Sequence, residues 1–382
     1  MKFWKKALLI NFAVVLVLLG SLAVFFATPW GRPVLKTLLL VPEVVPNFPV
    51  RPLKYFGLKP KVEEISLKVG DKDIKADLYR PQDNKKHPVM VIMLGILATR
   101  QNSDLIKMVN ALSRIEYAVL IPNLADFQSG FIWTDSVETL ISSVEFLDKQ
   151  DFVAKNKIGL AGFCVGSSIS IVAAENEKIA DKVGYIISIS PYFDLISLSE
   201  AATTRQAQNS QGGFEQWEPA QLTVESVQKG FINYVPSGDE RKLLAAHFLE
   251  REEIPKDNIE KFSIEAAYVY EFLSNSEQSK MAEIWSKLPE SGRELLNRLS
   301  PSTKIANLKA KLFVLNDEND TFVPRSEAEK LVKSLPKEKI YFAEVDSFEH
   351  VNPKTKLERW SAVKQIFHIS RFVYNILAEI QS

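Results

Sequence analysis

The chain's single cysteine stands in the run Gly162-Phe163-Cys164-Val165-Gly166. A thiol with a small residue two places before it and two after suits a nucleophile for acyl transfer at a sharp strand-to-helix turn. Such a turn is strained, and neighbouring backbone passes close to it. The helix starting there adds backbone N–H donors and the positive end of a dipole, which favour an anionic sulfur. A free cysteine is more often a buried, inert small hydrophobe, so the reading depends on partners. These follow downstream in the required order. Asp320 lies in Asp317-Glu318-Asn319-Asp320-Thr321-Phe322-Val323-Pro324, and His350 in Phe348-Glu349-His350-Val351-Asn352. The histidine would take the thiol proton as general base, and the carboxylate would orient the imidazole. Asp317 competes with Asp320, and either acid also suits a turn or a helix cap. His87 precedes a strand, His247 lies in a polar helical stretch and His368 lies in the last helix, which leaves His350 as the base. The N–H groups of Val165 and Ile96 are the candidate oxyanion donors, with Gly95 and Leu97 as alternatives to Ile96.

These residues can meet only if each stands where a strand ends. Residues 89–94 form a continuous apolar run, as in a strand buried on both faces. Leu105, Ile106, Met108, Val109 and Leu112 then recur at helical spacing. Residues 118–121 read as the next strand, and Val137, Leu140, Ile141, Val144 and Leu147 mark the next helix. Residues 157–163 form a strand running into a small-residue helix from Cys164 to about Ala174, and residues 185–190 form another strand. The alternation stops over 195–299, where charged helix formers and aromatics predict a helical cap insertion. Trp217, Phe231, Tyr234, Tyr268, Tyr270 and Trp285 would either line an apolar acyl pocket there or form the cap's own core. Strand, helix, strand and terminal helix resume at 311–316, 326–335, 340–345 and beyond. Ahead of the alternation, 64–69 and 74–79 around Gly70-Asp71 read as a hairpin. The pattern predicts an α/β fold whose mostly parallel sheet is covered by helices on both faces, with chemistry at the carboxyl ends of the strands. Its core would comprise residues 61–194 and 300–382.

The amino terminus carries Lys2, Lys5 and Lys6 before an uncharged run over 7–27. At about 1.5 Å per residue this run reaches roughly 30 Å, the thickness of a bilayer core. A transmembrane anchor is expected, with residues 1–6 in the cytoplasm and the catalytic body on the extracytoplasmic side. A cleaved signal peptide is the rival, although its apolar region usually runs only about 7–15 residues. Residues 28–60 hold seven of the nineteen prolines, which predicts an extended Pro-rich linker. Residues 34–41 within it would lie in the membrane interface or pack on the domain. Lysine plus arginine balance aspartate plus glutamate at 47 each, so no net charge favours nucleic acid. One cysteine excludes an intramolecular disulfide, and with four histidines it gives no zinc-like spacing; neither metal nor cofactor is expected.

With those residues in order, the chain resembles the α/β-hydrolase superfamily over roughly residues 62–380, the cap excepted. Its Gly-x-Cys-x-Gly run is similar first to that of dienelactone hydrolases and second to that of polyhydroxyalkanoate synthases. Leu94-Gly95 stands where many relatives carry His-Gly, and Ser167 follows Gly166 where both cysteine families usually have another glycine. The auxiliary glutamate of dienelactone hydrolases has no assigned counterpart, and a membrane span with a large cap departs from their plan. The resemblance implies cleavage of a small-molecule ester or lactone through a Cys164, His350 and Asp320 triad and a thioester acyl-enzyme. Acyl transfer or polymerisation to an alcohol is one alternative. A catalytically inactive scaffold or binding protein is another.

Overall fold

The structure is a computed structural model that describes residues 2–45, 48–55, 57, 59–209, 211–346, 348–349, 352–353 and 359–381. Eight strands make one sheet: β1 (Lys61–Val69), β2 (Lys72–Arg80), β3 (His87–Met93), β4 (Ala118–Pro122), β5 (Val153–Phe163), β6 (Val183–Ile189), β7 (Lys311–Asp317) and β8 (Ile340–Val345). Their order is β1-β2-β4-β3-β5-β6-β7-β8. β1 and β2 form the expected hairpin, Val69 opposite Lys72, and β2 also runs antiparallel to β4. All the other neighbours are parallel.

Side chains alternate between two buried layers, as the pleat requires. Along β3, Val89, Val91 and Met93 enter one layer, while Met90 and Ile92 enter the other. β7 repeats the pattern with Leu312 and Val314 against Phe313 and Leu315. The first layer contains the helices Asp135–Asp148 and Val165–Ala174, through residues such as Leu140, Val144 and Ile169. The second contains α2 (Gly31–Val44), α3 (Ser103–Arg114) and the terminal helix Arg359–Gln381. Strands apolar on both faces are the sequence signature of this sandwich.

α2 corrects the expectation of an extended linker over 28–60. Pro33 falls in its first turn, where N–H groups have no intrahelical acceptor to lose, and Pro42 falls in its last. The Arg51 guanidinium turns back on the carbonyls of Pro42, Glu43 and Val45, where a cation suits the helix C-terminus. Leu53 N–H donates to the Glu43 carboxylate at 2.8 Å. Leu40 and Val41 are buried, so much of the predicted linker is a second-layer helix. Before it, α1 (Lys2–Ala27) is one helix with exposed Phe12, Val17 and Val24. Among the described residues no single helix is long and apolar enough to cross a membrane; Asn11–Ala27 and Gly31–Val44 are so together, bent by 98°.

The cap between β6 and β7 is mainly helical, with Leu195–Thr204, Gln221–Tyr234, Gly238–Glu250, Ile264–Ser274 and Glu290–Arg298 as its longer helices. It also holds a small hairpin, Gln206–Gln208 with Phe214–Gln216, where only helices were expected. Turn chemistry explains it: the Asn209 side chain accepts from Gln211 and Gly213 N–H. Glu327, buried on the helix Arg325–Ser334, ties the cap entrance to the core. Its carboxylate accepts from the N–H groups of Phe193 and Asp194, from Ser197 Oγ and from Lys330 Nζ.

Glu175 is a buried acid in the opposite situation. It follows the helix Val165–Ala174, its Oε1 has no hydrogen-bond partner among the described residues, and burial pushes its pKa up to about 9 against a weaker pull from Lys304. The folded protein therefore keeps a proton that the unfolded chain, near the usual value of 4.5, releases. Stability contributed by this group falls as pH rises through that interval. Glu175→Gln, neutral throughout, is expected to stabilise the protein by about 4 kcal/mol more at about pH 8 than at about pH 5, read from denaturant unfolding of the two forms. An equal difference at both pH values would contradict the assignment.

Candidate active site

Cys164 alone joins β5 to the helix Val165–Ala174, with φ 56° and ψ −134°. A side chain in that region of backbone space costs about 1–3 kcal/mol, so the surroundings must impose it. Cys164 N–H donates to Ile189 O of the adjacent strand at 2.9 Å. The Cys164 carbonyl accepts both Ser167 N–H at 2.9 Å and Ser167 Oγ at 2.5 Å. Ser167 thus gives the strained turn a second hydrogen bond. The flanking glycines are required by contact. A Cβ on Gly162 would stand 2.3 Å from Gly166 O, and one on Gly166 would stand 2.4 Å from Leu94 O.

The loop after β3 crosses the nucleophile. A Cβ on Gly95 would lie 3.1 Å from Cys164 Cβ and 3.9 Å from Sγ. Leu97, at φ 60°, donates its N–H to Phe127 O at 3.0 Å and is thereby engaged. The N–H groups of Ile96 and Val165 have no backbone acceptor among the described residues. Both residues line the same cavity as Cys164, with its volume of about 1200 Å³.

Asp317 ends β7 and is buried; its carboxylate accepts Asn319 N–H at 3.0 Å, as a turn former does. Asp320, also buried, lies in the following turn, where Oδ1 accepts Phe322 N–H at 2.7 Å and Val323 N–H at 3.1 Å. The cap grips this turn from outside. Trp217 Nε1 donates to Asp320 O, Ala220 N–H to Thr321 O, and Thr223 Oγ1 to Phe322 O, at 3.1, 2.7 and 2.9 Å. Phe322 and Val323 reach the wall of the Cys164 cavity.

His350 lies outside the described residues. Val345, the last residue of β8, pairs with Asp317, the last of β7. The strand pairs next to it in sequence, Phe348–Glu349 and Asn352–Pro353, run antiparallel. The other histidines have different surroundings. His87 is buried between Asp83 and the Glu116 carbonyl, His247 Nδ1 meets Glu252 O at 2.7 Å, and His368 stands beside Phe367 on the terminal helix.

Sequence reasoning missed Trp217 as the residue holding the acidic turn, treating it only as pocket or core. A signal was available: an indole N–H taken from water needs an acceptor. Of Trp217, Phe231, Tyr234, Tyr268, Tyr270 and Trp285, Phe231 and Tyr234 line the cavity. Phe231 also stacks on Phe272 at 4.4 Å, and Trp285 lies 4.9 Å from Phe272, so cap core and pocket wall share residues.

No family model and no curated protein matches the sequence. Among solved structures, the chain is similar to a puromycin-hydrolysing peptidase of Mycobacterium tuberculosis, at 14% identity and a TM-score of 0.51, over 87% of this chain and 41% of that one. It thus spans less than half the peptidase. Est1E from Butyrivibrio proteoclasticus is 12% identical, with a TM-score of 0.45 over 83% of this chain and 98% of that one. A 2,6-dihydroxy-pseudo-oxynicotine hydrolase is 14% identical, with a TM-score of 0.46 over 83% and 68%. Identities this low speak for fold and not for chemistry. The strand order, the turn after β5, the cap between β6 and β7 and the first of these likenesses together identify an α/β-hydrolase fold.

Proposed function

We propose that the chain is a membrane-tethered carboxylic-ester hydrolase, of dienelactone-hydrolase type, acting through Cys164, His350 and Asp320. The observation that carries the reading is the strained turn at Cys164, imposed by hydrogen bonds and glycine contacts and opening on a large cavity. A merely buried cysteine needs none of these. In the first half-reaction His350 takes the thiol proton, and the sulfur attacks the ester carbonyl. The N–H groups of Ile96 and Val165 stabilise the oxyanion. The C–O bond breaks, the leaving alcohol takes the proton from the imidazolium, and a thioester remains on Cys164. In the second half-reaction water, losing a proton to His350, attacks the thioester. The acid leaves and the sulfur regains the proton. Asp320 orients the imidazole, and the two N–H groups on its Oδ1 aim the carboxylate. In the proposed arrangement the anchor is the whole uncharged run of residues 7–27, longer than the Asn11–Ala27 stretch that falls short of a span by itself; residues 1–6 stay in the cytoplasm and the domain lies outside it, in keeping with Lys2, Lys5 and Lys6 before the run.

Cys164→Ala is expected to lower turnover of p-nitrophenyl butyrate by about 10³-fold or more, with thermal unfolding near that of the wild type. Acid-quenched wild type should carry butyryl on the Cys164 peptide, released by hydroxylamine. Undiminished turnover in the alanine variant sinks the assignment.

Asp320→Asn should lower kcat by about 10²–10⁴-fold, because the amide no longer holds the imidazolium. Its carbonyl oxygen can still accept Phe322 and Val323 N–H, so the turn keeps its shape. Steady-state kinetics of this variant beside Asp317→Asn decide the acid: loss only in the latter moves the role to Asp317.

A further inference from the structure

The cavity at Cys164 extends well beyond the space a small ester needs. On the cap side its wall includes Leu195, Leu198, Phe231 and Leu296. It also reaches into the second layer, where Met90, Ile92, Ala161, Phe163 and Leu315 of the sheet line it. Facing them are Met108 of α3, Phe372 and Val373 of the terminal helix, and Leu40 and Val44 of α2. Its volume of about 1200 Å³ exceeds the roughly 300–1,000 Å³ of ordinary small-molecule pockets. The charged side chains at the α2 end are already engaged: Arg51 with three helix carbonyls and Glu43 with Leu53 N–H. Apolar contact is what this part of the wall offers.

The exposed wall residues locate the mouth. They include Pro49, just past α2, and Leu97, Thr99, Asn102, Asp104 and Lys107, between β3 and the first turns of α3. α2 therefore leads from the α1 bend towards this mouth, over about 21 Å for its fourteen residues. The bend is built in. Gly31 N–H donates to Thr28 Oγ1 at 3.0 Å, Thr28 Oγ1 donates to Phe25 O at 2.6 Å, and a Cβ on Gly31 would stand 2.0 Å from Phe25 O. With α1 across a bilayer, the 98° bend lays α2 along the membrane surface and brings the mouth to it. Trp30, Leu38, Val50 and Tyr55 are exposed around this segment, as are Val363 and Phe367 on the terminal helix. Such an apolar and aromatic surface suits the interface better than water.

We propose that the second-layer part of the cavity holds the linear acyl chain of a long-chain lipid ester, which enters from the bilayer beside α2 and presents its carbonyl to Cys164. The inference rests on the esterase reading and names its substrate class.

The test uses the full-length chain. The kcat/KM ratio for p-nitrophenyl palmitate over p-nitrophenyl butyrate is compared among wild type, Met108→Trp and Val373→Phe, each adding bulk to the chain path from a different helix. The ratio is expected to fall about tenfold or more in both. An unchanged ratio in either variant that melts like the wild type overturns the proposal. Binding is read separately from catalysis, by cis-parinaric acid fluorescence on Cys164→Ala with and without Met108→Trp. Saturable binding weakened by the tryptophan supports the chain site even where no ester turns over, an outcome that would defeat the esterase reading alone. Butyrate turnover without any binding of the probe defeats the chain site alone. For the bilayer route, Leu38→Glu should slow hydrolysis of a palmitoyl ester carried in phosphatidylcholine vesicles and leave dissolved butyrate ester unaffected. Equal rates on the vesicle-borne ester overturn that route.

Discussion

The conformation of Cys164 is the constraint on which the rest of the site depends. A residue with a side chain is held at positive φ between a central strand and a helix, with no intrinsic preference for being there. The restraint comes from three directions: Ile189 O on β6, Ser167 at the helix start, and the end of β3 pressed against Gly166. The first and third of these contacts exist only because β3, β5 and β6 are adjacent and parallel, so that their carboxyl ends converge on one point. The sheet order is in that sense part of the chemistry. An isolated β5-helix unit would relax.

The acidic turn is held on a second principle. Asp320 is fixed internally by two backbone donors, and its turn is fixed externally by three hydrogen bonds from the cap. The cap entrance is in turn fixed to the core by Glu327, whose buried carboxylate has four donors around it. A buried carboxylate is tolerated when its lone pairs are filled and is costly when they are not. Glu327 and Glu175 illustrate the two cases in one molecule. The cap is therefore a bracket for the acidic turn as well as a cover for the cavity.

α2 extends this logic to the amino terminus. Its apolar side completes the second layer against the terminal helix, and its C-terminus is closed by Arg51 from the segment that follows. A chain region rich in proline forms a helix because the prolines fall at its ends and because the domain supplies an apolar surface to cover. The same helix forms one wall of the cavity containing Cys164, so the region that leads from α1 also shapes the site.

Much of the core was legible from local pattern. Continuous apolar runs marked the buried strands, helical spacing marked their crossovers, and the interruption after β6 marked the cap. The structure places Cys164 directly after β5 and Asp320 in the turn after β7, where the apolar runs put them, while His350 lies outside the described residues. Less legible was whatever depended on partners distant in the chain. The proline count hid α2, whose stability comes from packing, and cap hairpin chemistry was masked by surrounding helix formers. By itself the sequence determined the periodicities, the lone thiol between two glycines and the apolar amino terminus, because these are properties of neighbouring residues. Only the tertiary structure decided the geometry of Cys164, the grip of Trp217 on the acidic turn and the cavity's reach beneath α2. Each of these is a contact between segments that meet only when the sheet is assembled.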